Sequence, residues 1–233
     1  MGGGGFSMEE QTPLLDDFVL SLARRQPARV CFIPTASGDS ANYLVRFYRA
    51  FAGRCHATDL TLFGGPSLPR RPARAADLAA FVAEQDVFYV GGGNTASLLA
   101  LWRAHGVDRL LAEAWRNGAL LCGVSAGMLC WFSGGVTDSF GDLDALRDGL
   151  GLIEGTACPH YDGHPLRRPT YHRLIAAGLP PGHAADDGAA LHFVGPTLTA
   201  CVSERPTAAV YRVERAGDQV VEHRLPVRYL GGG

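Results

Sequence analysis

The chain predicts an α/β fold, with a mostly parallel sheet, helices on both faces and β-hairpins at the C-terminal edge. Three observations carry that expectation. Short apolar runs alternate with longer stretches whose apolar residues recur at helical spacing, as in strands joined by crossover helices. Gly-rich turns stand where strand-like runs give way to helix-like ones, in "FYVGGGNT" (88–95) and "CGVSAG" (122–127). From Thr197 onward the pattern changes to short β-rich runs separated by turn residues. At 233 residues the chain is read as one domain, residues 1–233, long enough to bury a sizeable core.

In chain order, strands are expected at Arg29–Ile33, Ala57–Leu62, Val87–Val90 and Ala119–Gly123. Each is a short apolar or β-branched run bounded by turn residues. Helices are expected at Ala41–Phe51, Ala75–Glu84, Thr95–Ala104, Val107–Asn117 and Ala126–Phe132. Val107–Asn117 ("VDRLLAEAWRN") is followed by Gly118, a good stop signal. Met1 stands directly before four glycines, although a Gly-rich loop in such a fold follows a strand. Either a first strand is missing from the sequence as read or the start lies elsewhere. Without that strand, one sheet edge is expected to be unpaired and the glycine loop untethered.

Bulk chemistry narrows the function classes. The net charge of -2 with mixed signs argues against a nucleic-acid partner, and Arg70, Arg71 and Arg74 read as a solvated helix face. No apolar run reaches the roughly 18 residues of a membrane span, and no secretory signal pattern opens the chain. Six cysteines without C-x-x-C spacing read as reduced thiols in a cytoplasm, with Cys31, Cys122 and Cys201 as small core residues. No metal-ligand cluster is offered and no cofactor is implied.

Gly123-Val124-Ser125-Ala126-Gly127 fits G-x-S-x-G at a strand-to-helix turn. A sharp turn there pushes the serine above the sheet, and the following N–H groups face developing negative charge. Ser125 is therefore the candidate nucleophile. The second Gly-rich turn lacks the lysine of a phosphate loop, and Ala96 breaks G-x-G-x-x-G. An oxyanion hole suits it better, formed by the N–H groups of Gly93 and Ala126.

Eight histidines compete for the role of base. His160 in "CPHYDG" sits in a loop among polar and aromatic neighbours and is preferred. His56, His105, His164, His172 and His183 lie at element ends or in charged or Pro-rich segments. The orienting acid is Asp187 or Asp186 in "AADDG", or Asp138 in "GGVTDSF". Ser125–Asp187–His223 follows the usual α/β-hydrolase order, but His223 lies in an alternating strand. Ser125–His160–Asp187 places all three members in loops or turns and is preferred.

With these residues in place, the sequence resembles the peptidase E family of serine peptidases, which includes aspartyl dipeptidase and, more distantly, cyanophycinase. "CFIPTASGD", "YVGGGNT", "GVSAG", "CPHYD" and "DDGAALHF" carry the resemblance over nearly the whole chain. It implies a flavodoxin-like fold related to class I glutamine amidotransferases, with serine in place of their cysteine. It implies Ser125 as nucleophile, His160 as base, Gly93 and Ala126 as oxyanion donors and Asp187 as third member. Aspartyl dipeptidase has a glutamate there, so Asp187 is a departure, with Asp138 as the fallback. The resemblance also implies an arginine that recognises an N-terminal Asp, and Arg167 falls near its position, with Asn94 as a second candidate substrate-binding residue.

The expected function is hydrolysis of short peptides from the N-terminus, including Asp-X dipeptides, through an acyl-enzyme on Ser125. Alternatives are a broader aminopeptidase, a cyanophycinase-like β-aspartyl peptidase, or an inactive binding protein on the same fold; a nucleotide-binding protein is more distant. The only partner implied is a short peptide substrate, and the apolar edges of the last third are a candidate homodimer surface.

Overall fold

The computed structural model describes residues 1–8, 13–63 and 75–232; the arginines at 70–74 lie outside them. The chain opens with a single 3-10 turn at Gly5–Ser7 and helix α1, Leu14–Ser21. The first half then alternates strands with helices, with two helices before the fourth strand. Strand β1 (Arg29–Ile33) leads to α2 (Ala41–Phe51), β2 (His56–Asp59), α3 (Ala75–Ala83) and β3 (Val87–Val90). Helices α4 (Thr95–His105) and α5 (Val107–Arg116) follow, and then β4 (Leu120–Gly123) and the short α6 (Ala126–Leu129). The four strands form one parallel sheet in the order β2-β1-β3-β4.

Alternation along these strands decides which face meets which helix. Cys31, Ile33, Phe88 and Val90 join a cluster with Leu98, Leu99 and Trp102 of α4 and Leu111 of α5. Their neighbours Val30, Phe32, Val87 and Tyr89 join Leu15 and Val19 of α1 and Phe47 and Phe51 of α2 on the other side. Strands β1 and β3 are thus covered on both faces, which is why they read as unbroken apolar runs.

The second half turns to mixed sheets. Strands β5 (Phe132–Thr137), β6 (Asp144–Leu146) and β7 (Ile153–Cys158) precede α7 (Arg167–Ala176) and β8 (Gly182–Ala185). Then come β9 (Ala189–Val194), β10 (Thr197–Ser203), β11 (Val210–Ala216), β12 (Gln219–Arg224) and β13 (Arg228–Tyr229). Six strands pair as β12-β11-β8-β7-β5-β6, and three as β13-β10-β9. The expected hairpins are present as the antiparallel pairs β9–β10 and β11–β12.

The helix expected over Ala126–Phe132 ends early, at Leu129. The Cys130 and Trp131 carbonyls accept from Leu150 and Ile153 instead of from the next helical turn, and Ser133-Gly134-Gly135 then extends into β5. The glycine loop, expected to be untethered, is held at every step. The Met1 ammonium donates to the Gly123 carbonyl (3.0 Å), and the Met1 carbonyl accepts from Ser125 N–H (3.2 Å). Gly3 forms a parallel bridge with Asp187, Gly5 N–H donates to Glu204 (2.9 Å), and Phe6 N–H donates to Asp16 (2.8 Å). The Phe6 ring packs edge-on against Phe32, Phe47, Phe51 and Tyr89.

Candidate active site

The turn between β4 and α6 is built to present Ser125. Its backbone stands at φ 55°, ψ -110°, a region that costs a side-chain-bearing residue on the order of 1–3 kcal/mol and that persists only where surroundings enforce it. The flanking glycines are what let the turn close. A Cβ at Gly127 would lie 2.2 Å from the Val90 carbonyl oxygen, and one at Gly123 would lie 2.5 Å from the same atom. Both glycines therefore serve the packing of the turn against β3, and the serine between them is left half-buried above the strand ends.

The Gly91–Gly93 turn after β3 lies beside it. Gly93 has φ +137°, and a Cβ there would meet the Ala36 carbonyl at 2.1 Å. Only glycine fits this place. Among the described residues, no acceptor is bonded to the N–H of Gly93 or of Ala126. A Cβ at Gly92 would touch Ser125 Cβ at 3.4 Å, so this turn also forms a wall of the space above the serine.

His160 follows β7 and is likewise held at positive φ (53°). Its Nδ1 is 2.5 Å from Asp187 Oδ1, which leaves Nε2 for a second partner. Burial raises the pKa of Asp187, but the hydrogen bond and charge of His160, with the more distant Arg205 and Arg167, outweigh it and hold the carboxyl below its ordinary value. Backbone bonds fix the acid in place. Its N–H donates to Asp162 (2.8 Å), and its carbonyl accepts from Arg205.

Ser125 and His160 line one cavity of about 420 Å³, although the hydroxyl and the imidazole are not hydrogen-bonded to each other. Its other walls come from Gly3, Ser7 and Met8, from Ser40 and from Asn42, Tyr43 and Arg46 of α2. Tyr43 is tied in on two sides, by a hydrogen bond with Ser7 and by accepting the Gly92 N–H (3.2 Å).

Other sequence-predicted candidates stand elsewhere. Arg167 is buried, with its guanidinium on Asp138 (3.3 Å) and the Val136 carbonyl (3.4 Å), and does not line the cavity. The ion pair also occupies Asp138. Asp186 faces away, accepting the Ala209 N–H (2.9 Å). Asn94 caps α4 through Ser97 N–H (2.8 Å) and donates to the Ser139 carbonyl (3.0 Å), so both ends of its amide are spent on structure. His223 lies on β12 beside Glu214 (3.8 Å), far from any Ser125–Asp187–His223 arrangement. Sequence reasoning missed Tyr43 and Arg46; on α2 they read as surface positions of an ordinary amphipathic helix.

Comparison with known proteins agrees with this architecture. The chain is 52% identical over 233 residues to the uncharacterized peptidase YgaJ of Bacillus subtilis (strain 168), covering 99% of this chain and 97% of that protein. It is 30% identical over 170 residues to the uncharacterized peptidase Lin0382 of Listeria innocua, covering 70% of this chain and 78% of that protein. Its fold is similar to the crystal structure of a peptidase from an acI-B1 Actinobacterium, with a TM-score of 0.67, 17% identity and coverage of 97% and 95% of the two chains. The model of peptidase family S51 matches residues 1–201. With that match spanning the Gly-rich turns, Ser125, His160 and Asp187, the chain belongs to peptidase family S51, and it is a peptidase.

Proposed function

We propose that this peptidase is a serine exopeptidase that releases the N-terminal residue of short peptides through an acyl-enzyme on Ser125. The observation that carries this reading is a serine at φ 55° on a strand-to-helix turn, sharing a cavity with a histidine whose other face is bonded to Asp187. In the forward step Ser125 Oγ attacks the first peptide carbonyl, and His160 Nε2 takes the hydroxyl proton. The carbonyl oxygen gains negative charge and is met by the N–H groups of Gly93 and Ala126. The C–N bond breaks as Nε2 returns the proton to the leaving amine. Water then attacks the ester with the same histidine as base, freeing the amino acid and the serine. Asp187 keeps the Nδ1 proton in place and stabilises the imidazolium.

A cavity of about 420 Å³ suits a peptide of a few residues. The placement of Arg167 on Asp138 favours a broad preference over strict Asp selectivity, because that guanidinium is spent outside the cavity. The test is amino-acid release from Asp-Leu and Leu-Leu by the wild type and by Ser125→Ala. Release from both, lost in the variant, supports the reading. Release from Asp-Leu alone would restore Asp selectivity and move its origin to Arg46. Release that survives Ser125→Ala would overturn the serine mechanism.

A further inference from the structure

An aspartate side chain is short, so the carboxylate of Asp187 stands where the backbone of that residue puts it. Its distance to the imidazole is set by whatever holds this stretch of backbone. Two side chains that do not line the cavity hold it. Asp162 accepts the Asp187 N–H on Oδ1 (2.8 Å), and Arg205 donates to the Asp187 carbonyl through Nη2. The same Nη2 donates to Asp162 Oδ2 (2.8 Å). Asp162, Asp187 and Arg205 thus close a ring that takes in the peptide groups on both sides of the acid.

The ring also joins the acid to the base. Asp162 is two residues beyond His160, in a turn closed by the Gly163 N–H on the His160 carbonyl (3.2 Å). Tyr161 N–H donates to the Ala185 carbonyl (3.1 Å), which ties this turn to the end of β8. Three successive residues, His160, Tyr161 and Asp162, therefore bond to the segment 185–187, the first of them through Nδ1 on Asp187 Oδ1 (2.5 Å). The backbones of Gly3 and Gly163 close on the carboxylate so tightly that a Cβ at either would run into it. Arg205 is placed by the residue before it. Glu204 N–H donates to the Gly188 carbonyl (2.9 Å), and the Arg205 side chain lies along Gly188, where a Cβ would come within 2.9 Å of Nε.

We propose that Asp162 and Arg205 are positioning residues that set the His160–Asp187 hydrogen bond, by fixing the backbone of the acid from the turn that carries the base. The proposal rests on the reading of Ser125, His160 and Asp187 as a catalytic set. The ion pair between Asp162 and Arg205 is partly exposed, and a pair of that kind adds little to stability. Its loss is expected to show in the placement of the acid and in kcat, with Tm nearly unchanged.

The test reads the His160 Nδ1 proton, which a carboxylate partner moves far downfield in the proton NMR spectrum. The resonance is assigned by its absence from His160→Ala. It is followed without substrate in the wild type, Asp162→Ala and Arg205→Ala, which open the ring from opposite sides. In both variants it is expected to move upfield or be lost to exchange with water. In parallel, kcat on Leu-Leu is expected to fall by about 10- to 100-fold with KM within about twofold of the wild type. A resonance unmoved in both variants would overturn the proposal, as would a wild type that lacks it. A wild type that shows the resonance but hydrolyses no dipeptide would sink the exopeptidase reading instead, and the resonance in the variants would still decide the role of the ring. Should neither alanine variant fold, Arg205→Gln, which removes the charge, takes their place with the same expected result.

Discussion

Ser125 and His160 are both held at positive φ, and neither is a residue type that adopts it without cost. The cost is met by packing that leaves no alternative, as the Gly127 contact with Val90 shows. Under the proposed mechanism, Ser125→Ala lowers kcat by on the order of 10³-fold or more while leaving Tm within a degree or two, since among the described residues the hydroxyl makes no hydrogen bond. Asp187→Asn is expected to lower kcat by on the order of 10³–10⁴-fold with little change in KM, because the acid touches the imidazole and not the substrate space; steady-state kinetics on a dipeptide check both. The sequence marks Ser125, His160 and Asp187 by the turn residues beside each, and the fold brings Ser125 and His160 to one cavity with Asp187 on the imidazole. Arg167 and Asn94, expected at the substrate, are bonded outside the cavity instead, for a common reason. Their partners, Asp138 and Ser139, are distant in sequence, and nothing local marks a polar residue as already engaged.

Apart from α1, which the sequence reading did not offer, and β2, which ends at Asp59 rather than Leu62, most elements of the first half were read to within a residue. Strands β1 and β3 are buried on both faces and helices α2 and α5 on one, so each carries its own periodicity. The error over Ala126–Phe132 came from an apolar run that fits either period; it was settled by tertiary bonds from Leu150 and Ile153. Helix α7 escaped notice because its "RRPTYHRLIA" lacks a clear apolar stripe, although Tyr171, Leu174 and Ile175 are buried under the six-stranded sheet. The short helix α6 gives a direct test of element packing. Gly127→Ala forces a Cβ into the Val90 backbone, which cannot yield as a flexible side chain would. The variant is expected to lose about 2 kcal/mol of stability together with activity, as measured by denaturant unfolding and dipeptide hydrolysis in parallel.

At the scale of the whole molecule, the N-terminal segment links the sheet, the serine turn and the acid. Asp16, fully buried on α1, holds that segment through Phe6 N–H (2.8 Å) and accepts from the Tyr89 hydroxyl (3.1 Å). Burial, opposed by these hydrogen bonds, raises its pKa from 3.8 to about 6. The folded carboxyl therefore holds its proton more tightly than the unfolded one. Its stabilising contribution is full below the unfolded value and is lost as pH rises through about 6. Asp187 has the opposite sign: its contribution is present above the unfolded value and is lost as pH falls. Between pH 4 and pH 7, Asp16→Asn should gain about 2 kcal/mol relative to the wild type, a difference that urea unfolding at the two pH values measures.

In the proposed mechanism Ser125 is a nucleophile activated by His160. The most direct test is intact-mass analysis after exposure to a fluorophosphonate, followed by peptide mapping, on the wild type, Ser125→Ala and His160→Ala. One adduct per chain on Ser125, absent from Ser125→Ala and slowed at least about 100-fold in His160→Ala, is the predicted result. An unlabelled wild type, or labelling that proceeds at the same rate without His160, would contradict it.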